Sequence, residues 1–261
     1  MHTPYFPTFR SRLAALGRRT AHSVRQATLA QLQEHLRDFL PAPLLSAEDQ
    51  GPNSRDRIFN LRLTFECFVW QLLGPKTSCR EVVRQVQTLF RLHHRGPVDE
   101  GDSAYVQARF RLPKERLEKA LAATAQAADR RAGQGGQLQG RPVKVVDAST
   151  TQLADTQENQ IRYPQPAAQK SGCGFPVLRF VALFSLASGA ILNVILGNLH
   201  HHDLRLLRAL WDQLKKGDIL LGDRAYGEYT TLATGPRQGV DGVARLHARR
   251  KVGLPQSPAP G

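Results

Sequence analysis

The sequence predicts a chain of two parts: an all-α N-terminal domain, then a mixed α/β core with the order β-β-β-α-β-α-β. Three observations carry that prediction. Apolar residues recur at helical spacing over about the first 130 residues. A Gly/Gln run from Gly133 to Gly140 has neither a helical nor a strand period. Beyond it come short β-branched or aliphatic runs, two of which lead into an aspartate. The boundaries that follow are a helical domain over 1–132, a Gly-rich linker over 133–142, a core over 143–251 and a disordered Pro/Gly-rich tail over 252–261.

In the first part, Leu13, Leu16, Leu29, Leu32, Leu36 and Leu40 mark an approximate helical stripe from Ser11 to Leu40, ended by Pro41 and Pro43. A second helix is expected from about Arg57 to Leu73, closed by Gly74-Pro75. A third opens at Thr77-Ser78, where Ser78 and Glu81 have the spacing of a capping box. A fourth runs from about Pro113 to Ala128. Helices two and three have the outline of a helix-turn-helix, and Arg80, Arg84, Arg91, His93, His94 and Arg95 would suit phosphate contacts. An ordinary helical hairpin with a solvated basic face explains the same pattern.

In the second part, Val143 to Val146 reads as a strand delivering Asp147 at its end. Phe175 to Leu186 and Ala190 to Leu196 read as an antiparallel pair turned at Ser188-Gly189. His202 to Lys215 carries Leu204, Leu207, Leu210, Trp211 and Leu214 at helical spacing. Asp218 to Leu221 is a strand delivering Asp223, a short helix lies near Glu228 to Ala233, and Gly242 to Leu246 is a last strand.

Composition narrows the function. The chain has 261 residues, with 36 Lys and Arg against 22 Asp and Glu, a formal net charge of +14. Such an excess attracts polyanions, nucleic acid first among them, although an anionic membrane surface or an acidic partner would be served by it too. The cysteines Cys67, Cys79 and Cys173 lie far apart with no C-x-x-C pair, which excludes a sequence-evident zinc site and suits reduced thiols. The longest apolar stretch, Phe175 to Leu199, is broken by Arg179, Ser185, Ser188, Gly189 and Asn193. It therefore fits strands rather than a membrane span, and a cytoplasmic location is expected.

Two aspartates placed alike at strand ends carry the chemistry. Carboxylates on neighbouring strands can converge and hold Mg²⁺, a hard cation that keeps several waters, or Mn²⁺ in its place. Two such ions would activate a water or 3′-OH and stabilise the leaving oxygen of a phosphoryl displacement. Strand-end Asp residues are also frequent turn formers and N-caps, and the pattern alone leaves both readings open.

The blocks V-V-D-A-S-T-T-Q at Asp147, L-G-N-L-H-H-H-D-L, and G-D-I-L-L-G-D-R-A-Y-G from Gly217 to Gly227 resemble the DDE transposases of bacterial insertion sequences. The resemblance is closest to the "insertion sequence four" group with its Y-R-E-K signature, and is densest from Val143 to Lys251. It implies an RNase H-like core in which Asp147 and Asp223 are the first two catalytic, metal-binding carboxylates. It implies Mg²⁺ or Mn²⁺ as cofactor, and duplex DNA, both the element's terminal repeats and the target, as partner. A homodimer or a full-length transposase is a further expected partner, with the protein at the bacterial nucleoid. The family's third carboxylate, a Glu within Y-x-x-R-x-x-x-E-x-x-x-x-x-x-K, has no counterpart after Asp223. Glu228 is better explained by the helix dipole. Thr234-Gly-Pro236 interrupts an expected helix. The expectation is an incomplete RNase H-like core in a truncated, catalytically incomplete copy, or else a non-catalytic DNA-binding remnant or regulator. A missing helix would also leave an apolar sheet face uncovered.

Lys170, Arg224, Arg245, Arg249, Arg250 and Lys251 are the candidate DNA contacts, each with a solvated charge as the plain alternative. His200, His201 and His202 read as solvated residues at a strand-to-helix junction, and Asp203 as a favourable charge in the first turn of a helix.

Overall fold

The computed structural model describes residues 23, 26–46, 57–74, 76–133, 135–170 and 172–245. The chain divides into two units, Met1–Ala123 and Thr124–Gly261, and the division falls inside a helix rather than at the Gly-rich run.

The first unit is helical. Helix α1 spans Leu29–Arg37 and opens on a complete capping box: Thr28 Oγ1 accepts from the Gln31 amide, and Gln31 Oε1 accepts from the Thr28 amide. Of the long helix expected from Ser11, residues 11–22, 24 and 25 lie outside the described ones. Pro41 begins a 3₁₀ turn over Ala42–Leu45. Helix α2 spans Leu61–Leu73, capped by Asn60, whose Oδ1 accepts from the Leu63 amide at 2.9 Å. Helix α3 spans Cys79–Leu92. Ser78 caps it through the Glu81 amide at 3.2 Å, while the Glu81 carboxylate turns to Arg84 and Gln85, so only half of the expected box forms.

Helix α4, Ser103–Phe110, was not expected from the sequence; it buries only Tyr105 and Ala108. Helix α5 spans Lys114–Ala132 and crosses the division between the units. The core of this unit joins Leu29, Phe59, Leu63, Cys67, Val82, Val86 and Tyr105, with a second cluster around Leu40, Leu45, Phe65 and Ala120.

The second unit is built on a six-stranded sheet. Its strands are β1 (Gln137–Leu138), β2 (Arg141–Gln152), β3 (Val177–Ser185), β4 (Ile191–Gly197), β5 (Ile219–Gly222) and β6 (Asp241–Ala244). The order is β4-β3-β2-β5-β6, with β1 paired to the start of β2. On one side of β2 the neighbours are antiparallel, on the other parallel. Three short helices join the strands: α6 (Gln157–Arg162) after β2, α7 (Asp203–Arg208) after β4 and α8 (Tyr229–Arg237) after β5. The β1 pairing and α6 are absent from the expected order, and Gln137–Leu138 lie within the stretch read as linker.

Three further expectations need correction. Strand β2 does not end at Val146: it runs on through Asp147-Ala-Ser-Thr-Thr-Gln152, because β3 offers an unbroken antiparallel partner from Val177↔Gln152 to Ser185↔Lys144. The stripe from His202 to Lys215 is not one helix. It is α7, a break, and a 3₁₀ turn over Trp211–Gln213, with Leu206, Leu207, Leu210 and Trp211 all buried against the sheet. Nor does Pro236 interrupt α8. It sits in the last turn, near the C-terminal end, where few residues remain to be distorted.

The start of the parallel trio is clamped by Arg141. Its Nε donates to the Gly217 carbonyl at 2.9 Å and its Nη2 to the Asp218 carbonyl at 3.3 Å, while Nη1 pairs with Asp241. One side chain thus binds the beginnings of β2, β5 and β6. The β3–β4 turn is held by Ser188, whose hydroxyl donates to Asp129 at 2.6 Å and accepts from the Ala190 amide. Gly189 there has φ +71°, a left-handed conformation that favours glycine.

Candidate functional site

The parallel register aligns the two aspartates. The pairs Val143↔Ile219, Lys144↔Leu220 and Val145↔Leu221 run up β2 and β5, and Asp147 and Asp223 each lie two residues beyond the last of them. Asp147 sits within β2 opposite Ala182 of β3, not at the strand's end as expected. Asp223 follows β5 directly, as expected. Period-two alternation sends Val146 into the core, 2% exposed, and leaves its neighbour Asp147 at the surface.

Each carboxylate makes a local backbone contact. Asp147 Oδ1 accepts from the Ala148 amide at 2.9 Å, and Asp223 Oδ1 from the Ala225 amide at 2.8 Å. The second contact is the turn chemistry that the sequence left open. Among the described residues, no cationic side chain forms an ion pair with either aspartate, and no group of three or more His, Cys, Asp or Glu gathers to hold a metal. Two exposed carboxylates on adjacent parallel strands still suit Mg²⁺, which usually takes one or two protein carboxylates and completes its shell with water and phosphate oxygens.

The basic candidates fall in different places. Arg224 is exposed in the turn after Asp223. Arg245 is exposed just past β6, and the pairing Gly222↔Ala244 puts it one residue beyond the last pair, as Asp223 is on β5. The turn packs close here, since a Cβ on Gly227 would come within 3.0 Å of the Ala244 Cβ. Lys170 is exposed in the connection between β2 and β3, its carbonyl bonded by Gln165 Nε2 at 2.8 Å. Arg249, Arg250 and Lys251 lie outside the described residues. Glu228 occupies the N-cap position of α8.

Sequence reasoning missed a polar cluster beside the aspartates. Arg179, inside apolar β3, donates to Asp203 at 3.3 Å and to the His201 carbonyl at 3.2 Å. Asp203 is therefore an ion-pair partner as well as a first-turn charge. The signal was available: an arginine in V-L-R-F-V-A-L-F needs an acceptor. His201 is structural here, its Nδ1 accepting from the Asn198 amide at 3.1 Å. Tyr226, read only as part of a motif, is buried in the turn between Asp223 and α8. Burial pushes its phenol well above the ordinary range. The carboxylates of Asp203, Asp147 and Asp223 push the same way, against Arg179.

No helix of the described residues is long and apolar enough to cross a membrane. No curated protein matches the chain. Residues 138–256, a little under half of the chain, which include both aspartates, strands β2 to β6 and the Tyr226 turn, match the family model of the transposase DDE domain.

Proposed function

We propose that the second unit is the RNase H-like core of an insertion-sequence transposase, in which Asp147 and Asp223 together hold Mg²⁺ or Mn²⁺ over a DNA phosphate. The observation that carries this reading is the register: two exposed carboxylates at equivalent places on adjacent parallel strands, inside the segment that resembles a transposase DDE domain. The strand order, antiparallel on one side of β2 and parallel on the other, supports the RNase H-like assignment.

When bound, the divalent ion supplies Lewis-acid activation of water or a 3′-OH and stabilises the leaving oxygen. The chain's own residues do the rest. Asp147 and Asp223 fix the position of the reacting phosphate, each oriented by a backbone amide. Arg224 and Arg245, beside them on neighbouring segments, neutralise phosphate charge and set the strand's path; Lys170 supplies a further cation. The substrate is duplex DNA, the terminal repeats of the element and then the target.

A second reading is favoured by one observation: among the described residues no third acidic side chain joins the pair. On that reading the chain occupies element ends as a regulator, beside a full-length transposase, without completing catalysis. The test is cleavage of labelled terminal-repeat duplex with Mg²⁺ or Mn²⁺ by the wild-type chain, Asp147→Ala and Asp223→Ala. Metal-dependent cleavage lost in both variants, with binding kept, supports the transposase core. Binding without cleavage in all three leaves the regulator.

A further inference from the structure

The connection between β2 and β3 forms an open cavity of about 610 Å³ that the paired aspartates do not use. Four carboxamides line it, Gln157, Gln160, Gln165 and Gln169, beside Asp155 and Thr156. Two of the four are spent on the frame. Gln160 Nε2 donates to Asp155 Oδ1 at 2.8 Å and to the Gly174 carbonyl at 2.9 Å, and its Oε1 accepts from the Gln165 amide at 3.2 Å. Gln165 Nε2 donates to the carbonyls of Gln169 and Lys170 at 3.1 and 2.8 Å, and its Oε1 accepts from the Gly174 amide at 3.1 Å. Gly174 itself is buried, and a Cβ there would collide with the Gln169 carboxamide oxygen.

The other two carboxamides, Gln157 and Gln169, form no side-chain hydrogen bond among the described residues. They stand exposed on the wall of a cavity whose shape the first two fix. The lining holds no lysine or arginine, and Asp155 gives only one of its carboxylate oxygens to the frame. A phosphate would meet an acceptor-only carboxylate there and no cation, in a chain whose net charge is +14. An uncharged base fits better. A carboxamide offers an acceptor beside a donor, the complement of an amino group beside a ring nitrogen on adenine or cytosine. Asp155, which only accepts, favours those two amino-bearing bases over thymine. Within a duplex that edge is taken up by pairing, so the base is an unpaired one. Lys170, next to Gln169 but outside the lining, is placed to meet the phosphate alongside. Strand β2 runs unbroken from Asp147 to Gln152, so about 17 Å of strand leads from the aspartate to this connection, a span of a few nucleotides.

We propose that this cavity is a base-recognition site of the core, in which Gln157, Gln169 and Asp155 receive an adenine or cytosine from an unpaired stretch of the DNA. The proposal rests on the transposase reading given above and adds to it a preference for the amino group of a base. Gln160 and Gln165 are positioning residues: they hold the loop and leave the contact with DNA to the other three.

The test titrates the full chain, without metal, against fluorescein-labelled oligo(dA), oligo(dC) and oligo(dT), followed by anisotropy. Wild type should bind the first two about tenfold more tightly than oligo(dT), the discrimination of one good bidentate pair. In the double variant Gln157→Ala/Gln169→Ala that preference should fall to about twofold or less, with the oligo(dT) affinity and its salt slope unchanged. Both side chains are exposed, so the denaturation midpoint should match wild type. Lys170→Ala should weaken binding to all three oligonucleotides alike. A wild-type chain that binds none of them, or binds all three equally, overturns the proposal, as does a preference that survives in the double variant. Asp147→Ala should keep the preference in full. A preference present and erased in the double variant, with no metal-dependent cleavage of terminal-repeat duplex, would leave the pocket standing and remove the catalytic reading. Cleavage without any base preference would do the reverse.

Discussion

Glu66 carries a carboxylate into the helical unit at 3% exposure, where Gln33 Nε2 donates to it at 2.6 Å and Arg62 Nη1 at 3.4 Å. Burial nevertheless dominates and raises its pKa above the ordinary 4.5, with those two partners pulling the other way. The sign follows from proton linkage: the folded chain holds this proton more tightly than the unfolded chain does. The stability it contributes is full below pH 4.5 and is lost as pH rises through the raised folded value. Glu66→Gln removes that slope. The thermal midpoint of the variant should fall less than that of wild type between acid and neutral pH, followed by circular dichroism at the helical band. An identical slope in the two proteins would assign the pH dependence to another group. The residue was visible in L-R-L-T-F-E-C-F as a charge within an apolar helix. Its partner Gln33, on another helix, was not.

At the level of elements, what the sequence disclosed and what it concealed divide along a physical line. The start of α3 was placed within two residues, because Ser78 caps it within its own turn, whereas α6, too short to show a helical stripe, was missed although Thr156 caps it. Strands β3, β4 and β5 were found from their β-branched and aliphatic runs. What failed depended on remote partners. The segment after Asp147 looks like a polar turn in A-S-T-T, yet pairing with β3 continues it as strand, and its threonines suit that conformation. The Leu204–Leu214 stripe has helical spacing, but contact with the sheet is met by α7 and a 3₁₀ turn instead. The like placement of the two aspartates was legible because each follows its own short apolar run, although Asp147 proved to lie inside its strand. The Arg179–Asp203 pair and the buried Tyr226 were not, since they join segments remote in sequence. Contact between the β5 end and the following turn gives a direct test. Gly222→Ala places a Cβ within 2.8–3.1 Å of Tyr226 atoms. It should lower unfolding stability by about 1–3 kcal/mol, as overpacking does, in urea denaturation. A neutral substitution would mean that the Tyr226 turn can move away from β5.

The whole chain carries a formal charge of +14, and that field acts before any contact is made. Binding to duplex DNA should therefore weaken steeply with salt, log K falling linearly with log salt at a slope of about −0.9 per phosphate neutralised. Asp147→Ala and Asp223→Ala, which remove negative charge, should bind at least as well as wild type in a filter or anisotropy titration. Arg224→Ala and Arg245→Ala should each flatten the slope by about one. A slope untouched by either arginine would place the phosphate contacts elsewhere. The Arg141 clamp has a consequence of another kind. Because alignment of the two aspartates is set where β2, β5 and β6 begin, it is indifferent to the length of chain between them. Whole loops between Gln152 and Asp218 can be exchanged, lengthened or given new binding work with the pair still facing each other. Deleting one residue within Val143–Val146 or Ile219–Gly222 would instead turn one aspartate to the opposite face of the sheet. The fold leaves the loops around β3, β4 and α7 open to change and holds two short strands to an invariant count.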